Sequence, residues 1–192
     1  MLTTCNEELG LNPAFFIGGW SIPESICTKI VENFNKNRSL IQTRDGFRNY
    51  NVLTNVFLDE KIDLEYQKYL KDVLTCYKKQ YPHCYENTEE WDLDKIYNIQ
   101  HYLPGKSYYK WHCEYYGPQK NKKTRHLAFM TYLNTVSDGG ETKFFYQNVK
   151  IKPKTGLTMI WPVQWTHMHK GFPAKFEDKY IATGWFSFLT KE

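Results

Sequence analysis

The second half of the chain consists of short apolar and aromatic segments separated by turns, and this pattern limits the fold more than any other feature. Strand-like segments run over 95–103, 108–114, 127–133, 141–145, 157–161 and 179–189. Turns are expected at Pro104-Gly105, Asp138-Gly139-Gly140 and residues 152–156. Strands of this length at this spacing are typical of a β-sandwich or jelly roll.

Two amphipathic helices are expected before this region. Ser21, Pro23 and Glu24 have the spacing of a helix start, with Ser21 as the capping residue. The clearer helix is expected over 62–80, where apolar residues recur at three and four positions. We therefore expect an α+β, mainly β fold, in which a double-stranded β-helix (jelly roll) has its N-terminal helices bracing one sheet.

The length of 192 residues suits one domain with a substantial core and falls short of two. We expect residues 1–94 to form a helical or irregular support, and residues 95–190 to form the jelly-roll core. Residues 1–20 read as an irregular lead, and 38–60 as short strands or a loop.

Composition limits the kinds of partner and the cellular compartment that we expect. A formal charge of +4 is mild and does not by itself indicate nucleic acid. No apolar run approaches the roughly 18–20 residues that span a bilayer, and no secretory signal is recognised. Five scattered cysteines without zinc-site spacing are typical of reduced thiols. The expectation is a cytoplasmic protein without a membrane partner.

Three residues have the types and spacing of a non-haem Fe(II) site. His112 and Glu114 are two apart, so in an extended strand both side chains point to the same side. His169 follows about 55 residues later, with His167 as its rival on the same strand face. Two imidazoles and one carboxylate occupy one face of an iron ion and leave positions for a cosubstrate and O2. Cys113, between the first two, should point away from the metal.

Lys179, ten residues after His169, opens the last aromatic strand. If it points inward, it shares a face with Ile181, Thr183 and Trp185. A buried ammonium is costly unless an anion lies beside it. A 2-oxo acid that chelates the iron and carries a second carboxylate would supply that anion.

Residues 97–188 resemble the catalytic domain of Fe(II)/2-oxoglutarate dioxygenases, specifically the prolyl 4-hydroxylase-like group. The motifs that carry the resemblance are Tyr102-Leu103-Pro104-Gly105, Tyr109, the His112-x-Glu114 pair, Tyr132-Leu133-Asn134, Gly139-Gly140-Glu141-Thr142, a Lys-Pro-x-x-Gly turn, and His169-x-Gly-x-Pro with Lys179 and Trp185. Two features depart from the group's pattern. Glu114 stands where Asp is usual, and one extra residue lies between Gly105 and His112.

The resemblance implies that His112, Glu114 and His169 bind Fe(II) as the catalytic centre. It implies that Lys179 pairs with the distal carboxylate of 2-oxoglutarate, with Tyr102 and Thr142 donating hydrogen bonds. Ascorbate would serve as an auxiliary reductant.

The same resemblance places Tyr109, Arg125 and Trp185 where peptide-hydroxylating members contact substrate. The leading expectation is an enzyme that hydroxylates a C–H bond of a peptidyl proline, because aromatic residues at 109 and 185 can pack against a pyrrolidine ring. A free amino acid or another small molecule stays open as the substrate. Two different functions also stay open. One is a non-catalytic jelly-roll binding module. The other is the oxidation of a nucleic-acid base, for which the basic loop at 119–125 leaves room, but a nucleic-acid partner is not favoured because no aromatic stacking platform is tied to that loop.

Overall fold

The computed structural model describes residues 2–115, 117 and 124–189. These ranges contain two α-helices, α1 (Glu24–Lys36) and α2 (Glu60–Gln80). The strands are β1 (Thr3–Thr4), β2 (Gly18–Ser21), β3 (Gln42–Arg44), β4 (Tyr50–Thr54), β5 (Trp91–Leu93), β6 (Asn98–Tyr102), β7 (Arg125–Tyr132), β8 (Thr142–Phe144), β9 (Val149–Ile151), β10 (Leu157–Pro162), β11 (His169–Gly171) and β12 (Lys179–Phe188).

Within the described ranges the strands form two antiparallel sheets. The larger sheet has the order β1-β2-β10-β7-β12-β6-β4-β3, with β5 paired to β12. The smaller sheet has the order β11-β8-β9. The expected mainly β fold with two N-terminal helices is confirmed, and both helices lie before the strands of the second half.

Side-chain alternation gives the larger sheet two different faces. On β7, Leu127 and Phe129 belong to the core beneath the helices, which includes Ile30 of α1 and Leu70 of α2. Ala128, Met130 and Tyr132 belong to a second core that reaches the smaller sheet. The site residues lie on this second face, so the helices support the sheet from behind and leave the other face available.

The start of α1 differs from the expected capping. Ser21 is the last residue of β2 and pairs with Leu157, so its side chain is not at the helix start. The capping position is Pro23, which makes no side-chain capping hydrogen bond. Pairing of β2 with β10 takes precedence over the local capping pattern. The second helix is confirmed, beginning two residues earlier than expected behind Asp59, whose side chain accepts from the Lys61 and Ile62 amides.

The strand expected over 108–114 is wrong. His112 forms an isolated bridge with His169, with backbone N–O distances of 3.0 and 2.8 Å. The next bond toward the N-terminus joins the Gly171 amide to the Tyr108 carbonyl, two residues out of register with that bridge. Because the register shifts, no continuous ladder forms, although the chain still runs beside β11.

The first 60 residues are more regular than expected, since β1 and β2 occupy part of the lead and β3 and β4 part of 38–60. Residues 118–123 of the basic loop lie outside the described part of the chain. All five cysteines are free. In the described ranges, neither helix combines the length and apolar character that a membrane crossing requires.

Candidate metal centre

The bridge between His112 and His169 brings two distant imidazoles together. Residues directly opposite each other in an antiparallel pair project their side chains to the same side. The two ring centroids are 4.3 Å apart. Tyr108 stacks on the His112 ring at 3.8 Å, and Trp161 contacts His169 edge-on at 5.3 Å. The backbone and these rings together set the position of both imidazoles.

Backbone carbonyls determine which nitrogen of each ring faces the site. His112 Nδ1 lies 2.9 Å from the Lys110 carbonyl oxygen, and His169 Nδ1 lies 2.9 Å from that of His167. A carbonyl oxygen only accepts, so each Nδ1 carries the hydrogen and each Nε2 presents a lone pair. Burial lowers the pKa of His169, which keeps that ring neutral. This is the usual arrangement of a metal-binding histidine.

Glu114 completes the group. Its Oε1 lies 3.5 Å from His112 Nε2 and 3.4 Å from His169 Nε2. Burial alone would raise the pKa of the Glu114 carboxyl, but hydrogen bonding and charge from the two histidines in their protonated form outweigh burial and hold this pKa well below its usual value. In the neutral Nδ1–H form that the carbonyls select, the rings supply no such charge and three acceptor atoms face one another, so a cation would supply the positive charge instead.

The second oxygen of Glu114 is held separately. Trp185 donates its indole N–H to Glu114 Oε2 at 2.9 Å. Arg125 lies 3.5 Å from the same oxygen, donates to the Glu114 carbonyl at 3.0 Å, and stacks on the Trp185 ring at 3.4 Å. The carboxylate is therefore oriented with one oxygen left for a metal.

The three candidate ligand atoms of His112, Glu114 and His169 all lie within 4.8 Å of one another. They are the only such group of three found in the described ranges. Two neutral imidazoles and a carboxylate are good donors for Fe(II) and leave coordination positions open. The residues present therefore fit an iron ion.

His167, the rival third ligand, lies elsewhere. It ends a short 3-10 helix (Trp165–His167) instead of lying on a strand, and its Nε2 lies 2.9 Å from the Phe15 carbonyl. The ring is buried and ties the N-terminal segment to the core. Its carbonyl oxygen, in contrast, orients His169.

The three residues line a cavity of about 530 Å³ that also contains Lys179. The Lys179 side chain is only 3% exposed, which places the predicted inward lysine inside the protein. Among the described residues its one hydrogen-bond partner is the Gly140 carbonyl, at 3.0 Å. Burial lowers the pKa of Lys179 to about 8, against the opposing charge of Glu141. A buried ammonium with one neutral partner fits an anionic ligand.

Two hydroxyls expected beside Lys179 also line the cavity. Thr142 accepts a hydrogen bond from Tyr132 at 2.8 Å, so its own hydroxyl hydrogen is available to another acceptor. Tyr102 instead donates to Gln100 at 2.7 Å, and its ring lies 4.7 Å from the Lys179 ammonium. Tyr102 would have to release Gln100 before it could donate to a ligand.

Only two of the three residues expected to contact substrate line the cavity. Arg125 and Trp185 line the cavity. Tyr109 does not, because its side chain is 56% exposed and the adjacent Tyr108 takes the place beside His112.

Sequence reasoning missed the contribution of the N-terminal part. Arg44, Phe47, Arg48 and Tyr50, from the end of β3, the start of β4 and the turn between them, line the cavity. Phe47 packs on Tyr108 at 5.5 Å. These residues carry no ligand motif, so only their position in space identifies them. Gln100 could have been found, because it alternates with Tyr102 on β6 and shares its face.

Comparison with known proteins agrees with this geometry. Residues 97–187 match the family model of the 2OG-Fe(II) oxygenase superfamily. One curated relative is the probable prolyl 4-hydroxylase 9 of Arabidopsis thaliana, with 27% identity over 92 residues, which are 36% of this chain and 31% of the relative. The chain spans less than half the length of the curated relatives it matches, 31% and 43% of them.

Two solved structures share the fold. The viral collagen prolyl hydroxylase from Paramecium Bursaria Chlorella virus-1, as a 2OG complex, aligns with a TM-score of 0.71 at 21% identity, over 91% of this chain and 97% of that one. A Trichoplax adhaerens prolyl hydroxylase, in complex with a hypoxia inducible factor peptide fragment, aligns with a TM-score of 0.66 at 17% identity, over 90% and 84%. Residues 97–187 thus match the 2OG-Fe(II) oxygenase superfamily, whose members use Fe(II) and 2-oxoglutarate, and the chain shares the fold of these two prolyl hydroxylases.

Proposed function

We propose that this protein is an Fe(II)- and 2-oxoglutarate-dependent dioxygenase that hydroxylates a C–H bond of a peptidyl proline. One observation carries the proposal: three converging metal donors and a buried ammonium share a single cavity. Fe(II), with 2-oxoglutarate and O2, supplies the oxidising chemistry, which yields succinate, CO2 and a hydroxylated product. The protein positions the reactants and excludes water.

His112, His169 and Glu114 would hold the iron through two Nε2 atoms and one carboxylate oxygen. The Lys110 and His167 carbonyls keep both imidazoles in the tautomer that metal binding requires. Trp185 holds the other carboxylate oxygen. No ligand has to change its hydrogen bonding when the metal binds, because both Nε2 atoms and one Glu114 oxygen already present lone pairs to it.

Lys179 would bind the distal carboxylate of 2-oxoglutarate, with Thr142 donating a hydrogen bond beside it. Among the described residues the Lys179 ammonium has no ion-pair partner, so the 2-oxoglutarate carboxylate would be its first, and burial makes such an interaction strong. The Gly140 carbonyl, which already accepts from Lys179, keeps the ammonium directed into the cavity.

A peptide substrate is supported by the aromatic residues of the cavity and by the relatives. Tyr108, Trp185 and Phe47 offer ring faces that a pyrrolidine could contact. The Trichoplax neighbour is described in complex with a peptide, and both curated relatives are named prolyl 4-hydroxylases.

We also propose that residues 1–192 fold as one domain. Pairing of β2 with β10 and of β4 with β6 joins the first 94 residues to the larger sheet. A fragment that begins at residue 95 would expose both the helix-facing core and a cavity wall. We expect that fragment to be insoluble, whereas an independently folded fragment would contradict the proposal.

The direct test is succinate release by the purified protein with Fe(II), ascorbate, 2-oxoglutarate and proline-containing peptides. We expect peptide-stimulated release and a mass gain of one oxygen on proline. His112→Ala should abolish both, with loss of stoichiometric Fe(II). His83→Ala, at an exposed histidine outside the cavity, is the matched control and should behave as wild type.

The outcomes separate the candidate functions. Turnover with a free amino acid or another small molecule, and none with peptides, would replace the substrate class. Protein that neither holds Fe(II) nor gains thermal stability from 2-oxoglutarate would be a non-catalytic binding module. The nucleic-acid hypothesis depends on the lysines of the basic loop. These lysines lie in 118–123, outside the described residues.

A further inference from the structure

Four aromatic side chains form a continuous row that leaves the cavity and runs onto the surface. This row, the aromatic ladder, consists of Trp111, Phe145, Tyr146 and Trp165. Phe145, Tyr146 and Trp165 are 53, 58 and 65% exposed. Isolated exposed aromatics are common, but a contiguous set of large rings indicates an interaction surface.

The rings of the ladder contact each other nearly at right angles. Trp111 and Phe145 are 5.1 Å apart at 89°, Phe145 and Tyr146 are 5.1 Å apart at 76°, and Tyr146 and Trp165 are 5.8 Å apart at 85°. Successive perpendicular rings leave open angles between their faces. Flat apolar groups such as proline rings can pack into such angles.

The ladder is held in place by the backbone beneath it. The Phe145 amide donates to the Met168 carbonyl at 2.8 Å, and the Gln147 side chain donates to the Thr166 carbonyl at 3.1 Å. These bonds join the β8–β9 turn to the segment that carries Trp165. A preorganised surface loses little entropy when a ligand binds.

The ladder is continuous with the candidate active site, because Trp111 also lines the cavity and is adjacent to His112. A chain that leaves the cavity past Trp111 would next meet Phe145. The three ring-to-ring steps correspond to about five residues of an extended or polyproline II chain, at roughly 3.1–3.3 Å per residue.

Two lysines stand at the junction of cavity and ladder. The Lys170 ammonium lies 4.8 Å from the centroid of the Trp111 ring, and the Lys110 ammonium lies 5.1 Å from that of Phe47. Neither lysine forms an ion pair within the described part of the chain. A chain passing between them would gain from acidic side chains at that point.

We propose that the aromatic ladder is the docking surface for the flank of the peptide substrate, and that this flank is extended, contains proline and is acidic where it passes Lys110 and Lys170. The inference deepens the proposed function and rests on it. Aromatic-lined surfaces bind polyproline II segments because these segments are already extended and lose little entropy. The ladder would raise the affinity for long substrates without taking part in the chemistry.

The test uses synthetic peptides of alternating proline and alanine with two glutamates on one flank, in a long form of roughly ten residues and a short form of about four. Trp165→Ser and Phe145→Ser should each raise the KM for the long peptide about tenfold, with kcat and the short-peptide KM unchanged. Phe176→Ser, at a phenylalanine that is 84% exposed outside the ladder, is the matched control and should have no effect. Thermal unfolding checks that all variants are folded.

A second arm tests the charge. Lys170→Glu should raise the KM for the long acidic peptide and lower it for the analogue in which lysine replaces glutamate. Equal KM values for both analogues in the wild type would overturn the acidic assignment.

The outcomes distinguish this inference from the proposed function. If peptides stimulate succinate release and the ladder variants match the wild type, the docking surface is wrong and the reaction stands. If no peptide is turned over, binding of the fluorescently labelled long peptide, lost in Trp165→Ser, would still support the surface. Tighter, salt-sensitive binding of a thymine single strand, or self-association abolished by Trp165→Ser, would replace the peptide with nucleic acid or a second copy.

Discussion

The two ends of the cavity differ in how completely their polar groups are paired before any ligand binds. At the metal end, His112, His169 and Glu114 have their non-ligating atoms occupied by carbonyls and by Trp185. At the other end, Lys179 is buried with one neutral partner among the described residues. The first end is organised before any ligand arrives, whereas the second keeps a charge that needs one.

This difference indicates how binding energy is divided. Oriented donors cost little reorganisation when a metal binds, so the metal end contributes geometry. An incompletely paired buried ammonium destabilises the free protein and strengthens the interaction with an incoming anion. The following variants and conditions test the metal end and the Lys179 end of the cavity separately.

The largest effect is expected at Lys179. Lys179→Met should weaken 2-oxoglutarate binding on the order of 100-fold, because it removes the buried charge that faces the carboxylate. The free protein should unfold at the same or a higher temperature, since an unpaired buried charge is lost. Calorimetric titration and thermal unfolding measure the two quantities. Lys143→Met on β8, at a lysine that does not line the cavity, should alter neither, and a destabilised Lys179→Met protein would contradict the contrast.

Trp185→Phe should break the orientation of Glu114 while keeping an aromatic ring. The Glu114 carboxylate loses its indole donor, so Fe(II) or Mn(II) affinity should fall at least about tenfold. A metal titration reports this value directly. Unchanged metal affinity with a raised peptide KM would show instead that Trp185 acts through substrate contact alone.

The pH dependence of 2-oxoglutarate binding should follow Lys179. Its pKa of about 8 means that the free protein loses the positive charge as pH rises through that value. Affinity should be greatest below pH about 8 and should fall by up to about tenfold per unit above it. Pyruvate, which lacks the distal carboxylate, is the control ligand and should show no such step. A flat profile for 2-oxoglutarate would mean that Lys179 does not pair with it.

Glu114→Asp should have the smallest effect. The shorter side chain cannot reach both the Trp185 indole and the position of Glu114 Oε1, so metal affinity should fall about threefold. Fe(II) or Mn(II) titration, with Trp185→Phe/Glu114→Asp as the double variant, measures whether the two changes are coupled. Tighter metal binding by Glu114→Asp would show that the surroundings favour the aspartate that is usual in the family that the chain resembles.

The strands and the candidate ligands are predictable for different reasons. Alternation and turns identify β6, β7, β10 and β12 because each is long enough to show its period. Chemical type and spacing predict His112, Glu114 and Lys179 as site residues, and the structure brings the three into one cavity. The predicted strand around His112 is wrong because its pairing with β11 shifts register, and no local pattern in the sequence reveals a partner.

Contacts between distant segments lie beyond sequence reasoning. Phe47 and Arg48 line the cavity because β4 pairs with β6, and Tyr108, not Tyr109, stacks on His112. His167 has the same residue type as His169, and contacts with distant segments distinguish them. His167 lies beside the carbonyl of Phe15, 152 positions earlier in the chain, whereas His169 pairs with His112.

The reciprocal pair of amide bonds between His112 and His169 has a consequence for how such proteins diverge. Main-chain atoms set the spacing of the two imidazoles, and every amino acid except proline supplies the same main-chain donor. Most of the intervening sequence can therefore drift without moving the centre. A site geometry that main-chain hydrogen bonds determine can be retained after nearly all of the surrounding side chains have been replaced. This is consistent with a shared fold at 21% identity.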